Sequence, residues 1–176
     1  FIELFFDLVF VFAVTQISHL LLAHPDLEHA FQSAFLLVAL WIVWIYTTWA
    51  TNWLDSEAAP TRLMMFGLMA GGLVLAAAIP GSFDERGLYF AAAYTLMQNG
   101  RNLFLLYALK DGLANERRNF WRIQIWMLIS GAFWIAGGFA DGETRWLLWG
   151  IALLCEFGSP WWGFWIPGMG RSSTQD

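Results

Sequence analysis

The chain has 176 residues, of which 59% are hydrophobic and 13% are charged, with 12 Trp, 16 Phe and a net charge of -5. Soluble domains are about half apolar and about one quarter charged, so this composition leaves too little polar surface for a globule in water. The single Cys and the scarcity of basic residues also exclude a disulfide scaffold and a nucleic-acid module. The composition therefore predicts a membrane protein.

Apolar stretches of about twenty residues, the length that crosses a bilayer as a helix, alternate with short polar loops along the whole chain. The pattern predicts an all-α, polytopic transmembrane helix bundle that forms a single domain over residues 1–176. The predicted spans cover residues 4–22, 33–53, 63–79, 88–109, 123–139 and 146–166. Glu156, Gly158 and Pro160 interrupt the sixth span, which predicts either a broken helix or a kink there.

The distribution of Lys and Arg predicts the orientation, because cytoplasmic loops hold an excess of these residues. The second, fourth and final connections contain most of them, namely Arg62, Lys110, Arg117, Arg118, Arg122 and Arg171, whereas the other loops contain Arg86 and Arg145. Both ends of the chain are thus expected on the cytoplasmic side.

Polar residues inside the first predicted span are the first functional signal. An ionisable group in a span costs about 2.5 to 3.5 kcal/mol on insertion scales and tends to face the bundle or a wet cavity. At about 100° per residue, Glu3, Asp7 and His19 belong to one polar stripe, and Gln16 lies beyond His19. The stripe predicts a polar face on an otherwise apolar helix.

The fourth predicted span carries a second polar group near its middle. Four hydrogen-bonding side chains surround Gly100 there, namely Gln98, Asn99, Arg101 and Asn102. Arg101 needs an anion at that depth, and its candidate partners are Asp7, Glu3 and Glu156. We hypothesise an ion pair between Asp7 and Arg101 across the first and fourth spans.

These polar residues have two interpretations. They either line a functional intramembrane site or join helices through hydrogen bonds worth on the order of 0.6 to 2 kcal/mol. The candidate site consists of Glu3, Asp7, Gln16, His19, Gln98, Asn99, Arg101, Asn102 and Glu156. His19 also fits a solvated loop histidine, and the spacing of the histidines does not indicate a metal site, so no metal and no cofactor is predicted.

Small residues in the third predicted span indicate close helix packing. Gly67, Gly71 and Gly72 lie in a Gly-x-x-x-Gly pattern that lets a neighbouring backbone approach. This span is therefore predicted to be a central packing helix, and Gly131 and Gly137 are expected to serve similarly in the fifth span.

Residues 3–19, an aromatic helix with acidic residues four apart, resemble the signature of the bacterial low temperature requirement A family of membrane proteins. Further similar segments are residues 49–55, 62–69, 100–106, 118–120, 134–138, 159–160 and 167–171. The resemblance implies a multi-pass protein of the bacterial inner membrane that is linked to stress response and growth at low temperature. It also implies that the chain is the N-terminal half of a longer protein, and it supplies no agreed substrate.

The expected function is that of a transporter or channel for a small ion or polar solute. The alternative is a non-transporting membrane factor for stress adaptation, whose polar residues are structural. An enzyme is not expected, because the sequence lacks the common hydrolase, metalloprotease and phosphate-loop motifs. The expected partners are the lipid bilayer, the C-terminal half of the same chain and a second copy in a homo-oligomer, but not nucleic acid.

Overall fold

The computed structural model describes residues 2–55, 57–109 and 114–170, without the side chains at positions 3 and 114–116. The regular structure in these ranges is helical, which confirms the all-α prediction. The helices are α1 (Ile2–Ala23), α2 (Leu27–Thr51), α3 (Ala59–Ala78), α4 (Gly87–Ala108), α5 (Ala114–Phe139) and α6 (Gly142–Trp161). A short 3-10 turn, Ile79–Gly81, follows α3.

Three stretches of the described chain are long and apolar enough to cross a membrane, namely Leu4–Ala23, Leu27–Thr51 and Ala59–Gly81. They correspond to α1, α2 and α3 with its 3-10 turn. Helices α4, α5 and α6 have 22, 26 and 20 residues, so they have the length of a span but not the same apolar character. Their polar residues are largely buried inside the bundle.

The ends of α5 and α6 differ from the predicted spans. Helix α5 begins at Ala114 rather than at residue 123, because its charged first turns continue the helix beyond the apolar stretch. Helix α6 ends at Trp161 rather than at residue 166, since Gly163 and Phe164 take positive φ values of 60° and 49° and turn the chain back.

Of the two alternatives for the sixth span, the broken helix near Glu156 is wrong, because α6 runs without interruption from Gly142 to Trp161. Pro160 has no N–H to bond the carbonyl of Glu156, four residues earlier. The hydroxyl of Ser159 donates to that carbonyl instead, at 3.2 Å. The last turn of α6 is thereby completed by a side chain.

Helix α3 is wedged between α1 and α4, as its small residues predict. A Cβ added at Gly71 would lie 2.8 Å from Cγ of Met97 on α4, and one at Gly72 would lie 2.8 Å from Cγ1 of Val9 on α1. Gly67 has open space around it, so only part of the Gly-x-x-x-Gly pattern serves packing. The two glycines let α3 contact both neighbours closely.

An aromatic cluster joins α4, α5 and α6. Trp134 and Trp149 are completely buried, with ring centroids 5.2 Å apart, and Tyr94 packs on Trp134 at 4.4 Å. The indole N–H of Trp149 donates to the carbonyl of Trp134 at 3.0 Å. Large burial with satisfied indole groups makes this cluster a firm support for the side chains beside it.

Arg145 connects two loops at the start of α6. Its guanidinium is 2% exposed and bonds backbone carbonyls of both loops and one carboxylate. The acceptors are Gly137 O, Ala140 O, Ser82 O, Asp84 O and Asp141 Oδ1, at 2.7 to 3.2 Å. One side chain thus holds the α3–α4 loop against the α5–α6 loop.

The replacement Arg145→Met is expected to lower the free energy of unfolding in detergent by about 3 kcal/mol, because several buried carbonyls lose a charged donor. Denaturant titration measures the change. Arg62→Met is the matched control: Arg62 is exposed and pairs with the exposed Glu57, so its loss is expected to cost about 1 kcal/mol or less. Equal effects of the two replacements would contradict the role given to Arg145.

Asp26 caps the first turn of α2. Its carboxylate accepts from the backbone N–H of His29 at 2.9 Å and contacts Nδ1 of the same residue at 2.8 Å. The backbone hydrogen bond, followed by the ring contact, lowers the pKa of Asp26 below its ordinary value of 3.8. A carboxylate with a lowered pKa stabilises the folded state while it is ionised.

Asp26→Asn keeps a capping side chain but removes this charge. Wild type is expected to be more stable than the variant above the ordinary pKa of Asp26. The advantage should disappear as the pH falls through the lower pKa of the folded state. Denaturant titrations at a series of acidic pH values measure it, and a stability difference that is the same at every pH would contradict the assignment.

Candidate functional site

Glu156 is the centre of a buried polar cluster. It lies on α6, is 3% exposed and accepts hydrogen bonds from side chains of α4 and α5. Oε2 accepts from the hydroxyl of Tyr94 at 2.5 Å and from Nε2 of Gln98 at 3.4 Å. Oε1 accepts from the hydroxyl of Ser130 at 2.5 Å and from the indole of Trp134 at 3.0 Å. When it is ionised, the carboxylate thus has four donors, two on each oxygen.

The donors reach Glu156 because of their spacing. Tyr94 and Gln98 are four residues apart on α4, and Ser130 and Trp134 are four residues apart on α5, so each pair lies on one helix face. Both faces are turned toward α6. Hydrogen bonds to a charged group contribute about 1.5 to 3 kcal/mol each, which offsets the cost of burying the carboxylate.

Ser130 has a choice of acceptor. Its oxygen lies 2.5 Å from Oε1 of Glu156 and 3.2 Å from the carbonyl oxygen of Ala152. A hydroxyl carries one proton, so it donates to one of the two at a time. When the protonation of Glu156 changes, the hydroxyl of Ser130 can therefore change its acceptor by rotation alone.

Glu156 also lies at the wall of an open cavity between α2, α5 and α6. The cavity has a volume of about 510 Å³. Its polar lining includes Glu156, Tyr46 and Asn119, and its remaining wall is aromatic and aliphatic. Glu156 thus bonds side chains of α4 and α5 through its carboxylate and is also one of the residues that line the cavity.

Arg101 occupies a neighbouring position on α4 and is 2% exposed. One guanidinium nitrogen donates to Oγ1 of Thr47 at 3.1 Å and to the carbonyl of Val43 at 3.3 Å, both on α2. The guanidinium also lies 5.5 Å from the ring centroid of Tyr46.

The predicted ion pair between Asp7 and Arg101 is not formed. Asp7 is exposed on α1 and accepts from the indole of Trp44 on α2 at 2.9 Å. Helix α1 packs mainly on α3 and α2, whereas α4 packs mainly on α5, α3 and α2. Each charge therefore bonds a different group on α2, a helix that packs against both α1 and α4.

The other two polar residues of the fourth span join α4 to α5. Nε2 of Gln124 donates to Oδ1 of Asn99 at 2.8 Å, and Nδ2 of Asn102 donates to Oε1 of Gln124 at 2.9 Å. These amides form a continuous buried chain between the two helices. Its geometry favours a structural role for Asn99 and Asn102.

Two buried polar atoms near the cluster have no hydrogen-bond partner in the described part of the chain: Oε1 of Gln98 and Oγ1 of Thr95. Buried acceptors are nearly always satisfied by protein, water or a ligand. The unpartnered amide oxygen of Gln98 lies on the side chain whose nitrogen bonds Glu156. These two oxygens could therefore still accept hydrogen bonds from a water molecule or a ligand.

The structure separates the predicted stripe of α1 from this cluster. Asp7 and His19 are exposed, and Gln16 is half-buried. The side chain of Glu3 lies outside the described residues. His19 borders a small cavity of about 280 Å³ together with His24 and His29. In the described ranges no group of three or more His, Cys, Asp or Glu is arranged to hold a metal ion.

Sequence reasoning named Glu156 and Gln98 but missed their partners Tyr94, Ser130 and Trp134. Each is compatible with an ordinary apolar helix, so none stands out as a stranded polar group. The available signal was spacing, because Tyr94 precedes Gln98 by four residues and Ser130 precedes Trp134 by four. Such pairs on neighbouring helices can converge on one carboxylate.

Comparison with known proteins gives two matches. The sequence model of the bacterial low temperature requirement A protein (LtrA) matches residues 1–176. The chain is also 45% identical, over 173 residues and 98% of its length, to an uncharacterized protein of Rhizobium meliloti (strain 1021). It spans 42% of the length of that relative. No solved structure matches the chain.

Two double-mutant cycles distinguish the observed contacts from the predicted ion pair. Asn102→Ala and Gln124→Ala are expected to be coupled by about 0.6 to 1.7 kcal/mol, because the two amides share a buried hydrogen bond. Asp7→Asn and Arg101→Gln, which share no contact, are expected to be additive within about 0.5 kcal/mol. Denaturant titration of the single and double variants measures both terms. A strong coupling between Asp7 and Arg101 would contradict the arrangement described above.

Proposed function

We propose that this chain, which belongs to the bacterial low temperature requirement A family, forms part of a membrane transporter or channel for a small ion or polar solute. The observation that carries the proposal is the position of Glu156. Its carboxylate is buried among donors of α4 and α5, and the same residue lines an open cavity. Buried ionisable groups in membrane helices commonly mark substrate, ion or proton pathways.

The chemistry of the cluster suits a group that changes its charge or its ligand. Ionised Glu156 accepts from all four donors, whereas a protonated Glu156 must donate one hydrogen bond itself. Ser130 then turns its proton to the carbonyl of Ala152 and accepts from the carboxylic acid. The exchange needs only a rotated hydroxyl, because both acceptors already lie within hydrogen-bond distance of Ser130.

We also propose a multi-pass topology in the bacterial inner membrane, with six spans and both ends of the chain on the cytoplasmic side. The excess of Lys and Arg in alternate connections supports this orientation. Because the chain spans 42% of its relative, we propose that further helices of the full-length protein and a second copy complete the assembly in the bilayer. In this proposal the protein contributes to growth at low temperature through transport rather than catalysis.

The alternative is a non-transporting membrane factor for stress adaptation. It is favoured by the saturation of Glu156, whose four acceptor positions are all occupied by the protein, and by the amide chain between α4 and α5. In that case the polar cluster only fixes the orientation of the helices. The alternative predicts a loss of stability on mutation without any change of flux.

A flux assay on the full-length protein in proteoliposomes tests the proposal, with protons and a panel of inorganic ions. Glu156→Gln removes the charge and is expected to lower the flux at least about tenfold, because the ion or proton loses its binding group. Glu143→Gln is the matched control on the same helix, since Glu143 is exposed in the first turn of α6. Its flux should equal that of wild type.

A melting temperature for each variant separates loss of function from loss of fold. Glu156→Asp keeps the charge, and we expect it to retain more flux than Glu156→Gln. Absence of flux for every ion and for a panel of small polar solutes would overturn the proposal and favour the structural alternative, and so would equal flux in wild type and both Glu156 variants.

A further inference from the structure

The cavity beside Glu156 has an unusual balance of charge. Glu156 is the charged residue in its lining, and neither Lys nor Arg lines it among the described residues. The volume of about 510 Å³ falls within the range of about 300 to 1,000 Å³ that small-molecule sites commonly have. An acidic residue in the lining of a cavity whose other described residues carry no charge is complementary to a cation.

The walls supply a second reason to expect a cation. Aromatic rings surround the cavity from α2 and from α6 with the turn after it, and they are Trp41, Tyr46, Trp49, Phe157, Trp161 and Phe164. The faces of such rings attract ammonium groups by about 0.5 to 2 kcal/mol each, and quaternary ammonium groups are commonly held in aromatic cages. Inorganic cations are strongly hydrated and gain little from such walls, whereas an organic cation also buries its apolar body.

The nearest positive charges do not line the cavity. Arg101 bonds Val43 and Thr47, and the ring of Tyr46 lies beside its guanidinium. Arg122 donates to Oδ1 of Asn119 at 2.7 Å and to the carbonyl of Met169. Arg101 is therefore held by groups of α2, and Arg122 is held by Asn119 and Met169, and neither arginine is among the residues that line the cavity.

We propose that this cavity binds an organic cation, namely an ammonium group carried on an apolar body. The ammonium group lies toward Glu156, and the body lies between the exposed rings of Trp41 and Trp161. The unpartnered Oε1 of Gln98 adds a second buried acceptor to the cluster behind the site. The inference rests on the proposed function, because it names the substrate class for the same carboxylate.

The test uses benzyltrimethylammonium as the probe and the full-length protein in nanodiscs of phosphatidylglycerol, whose headgroup has no ammonium. Empty nanodiscs of the same lipid give the blank that is subtracted, because the anionic headgroup itself attracts the probe. Isothermal titration calorimetry is expected to give saturable binding. Neopentylbenzene, the uncharged isostere, is expected to bind at least about tenfold more weakly, because it lacks the charge that Glu156 attracts. This comparison uses the wild-type protein, so it does not depend on the folding of a variant.

Two pairs of variants assign the binding to the cavity. Glu156→Gln is expected to weaken binding of the probe at least about tenfold, while Glu143→Gln leaves it unchanged. Trp41→Leu is expected to weaken it by about threefold, whereas Trp44→Leu, which alters a ring that contacts Asp7 instead, leaves it unchanged. Nanodiscs with added phosphatidylethanolamine distinguish the two sources of an ammonium group: competition indicates a lipid headgroup, and its absence indicates a soluble cation.

Equal affinity for the probe and its isostere, or unchanged binding in Glu156→Gln, would overturn the inference. Its failure is separable from that of the proposed function. Flux of protons or inorganic ions that depends on Glu156, without binding of the probe, refutes the organic cation and keeps the transporter. Binding of the probe without any flux supports the site and refutes transport.

Discussion

A carboxylate inside a bundle of apolar helices is the constraint on which this structure depends. Glu156 requires hydrogen-bond donors, since an unpaired buried charge costs far more than a domain can tolerate. Tyr94 and Gln98 fix one face of α4, and Ser130 and Trp134 fix one face of α5. The aromatic cluster beside them supports these donors, so the orientation of three helices is tied to one charged group.

The same helices carry two polar networks of different character. The amide chain of Asn99, Gln124 and Asn102 is buried between α4 and α5, and none of these three residues lines the cavity beside Glu156. The network of Glu156 is satisfied within the protein but also borders open space. A group with both properties can exchange a protein donor for a proton or a ligand without large movement of the backbone. That combination separates Glu156 from the polar residues that only join helices.

The sequence predicted the helical bundle, because long apolar stretches that alternate with short polar loops are compatible with few other folds. It also predicted the central position of α3, and it named Glu156 as a residue of the candidate polar site. It could not predict the partner of Arg101, because periodicity gives the face of a helix but not the neighbour that it meets. Arg101 was expected to need a carboxylate, yet a backbone carbonyl and the hydroxyl of Thr47 hold it. The sequence also did not show why α6 stays unbroken at Pro160. The hydroxyl of Ser159 replaces the hydrogen bond that Pro160 cannot make.

The central claim is that the negative charge of Glu156 attracts cations into the cavity. The most direct test introduces a thiol at the cavity wall by Ile45→Cys in a Cys155→Ala background. Two methanethiosulfonate reagents of similar size, one with a trimethylammonium group and one with a sulfonate group, are compared by their rates of reaction with this thiol. The account predicts faster reaction with the cationic reagent and loss of that preference when Glu156→Gln is added. Leu154→Cys, on an exposed apolar position of α6, should show no such dependence. Equal rates for both reagents, or a preference that survives Glu156→Gln, would contradict the account.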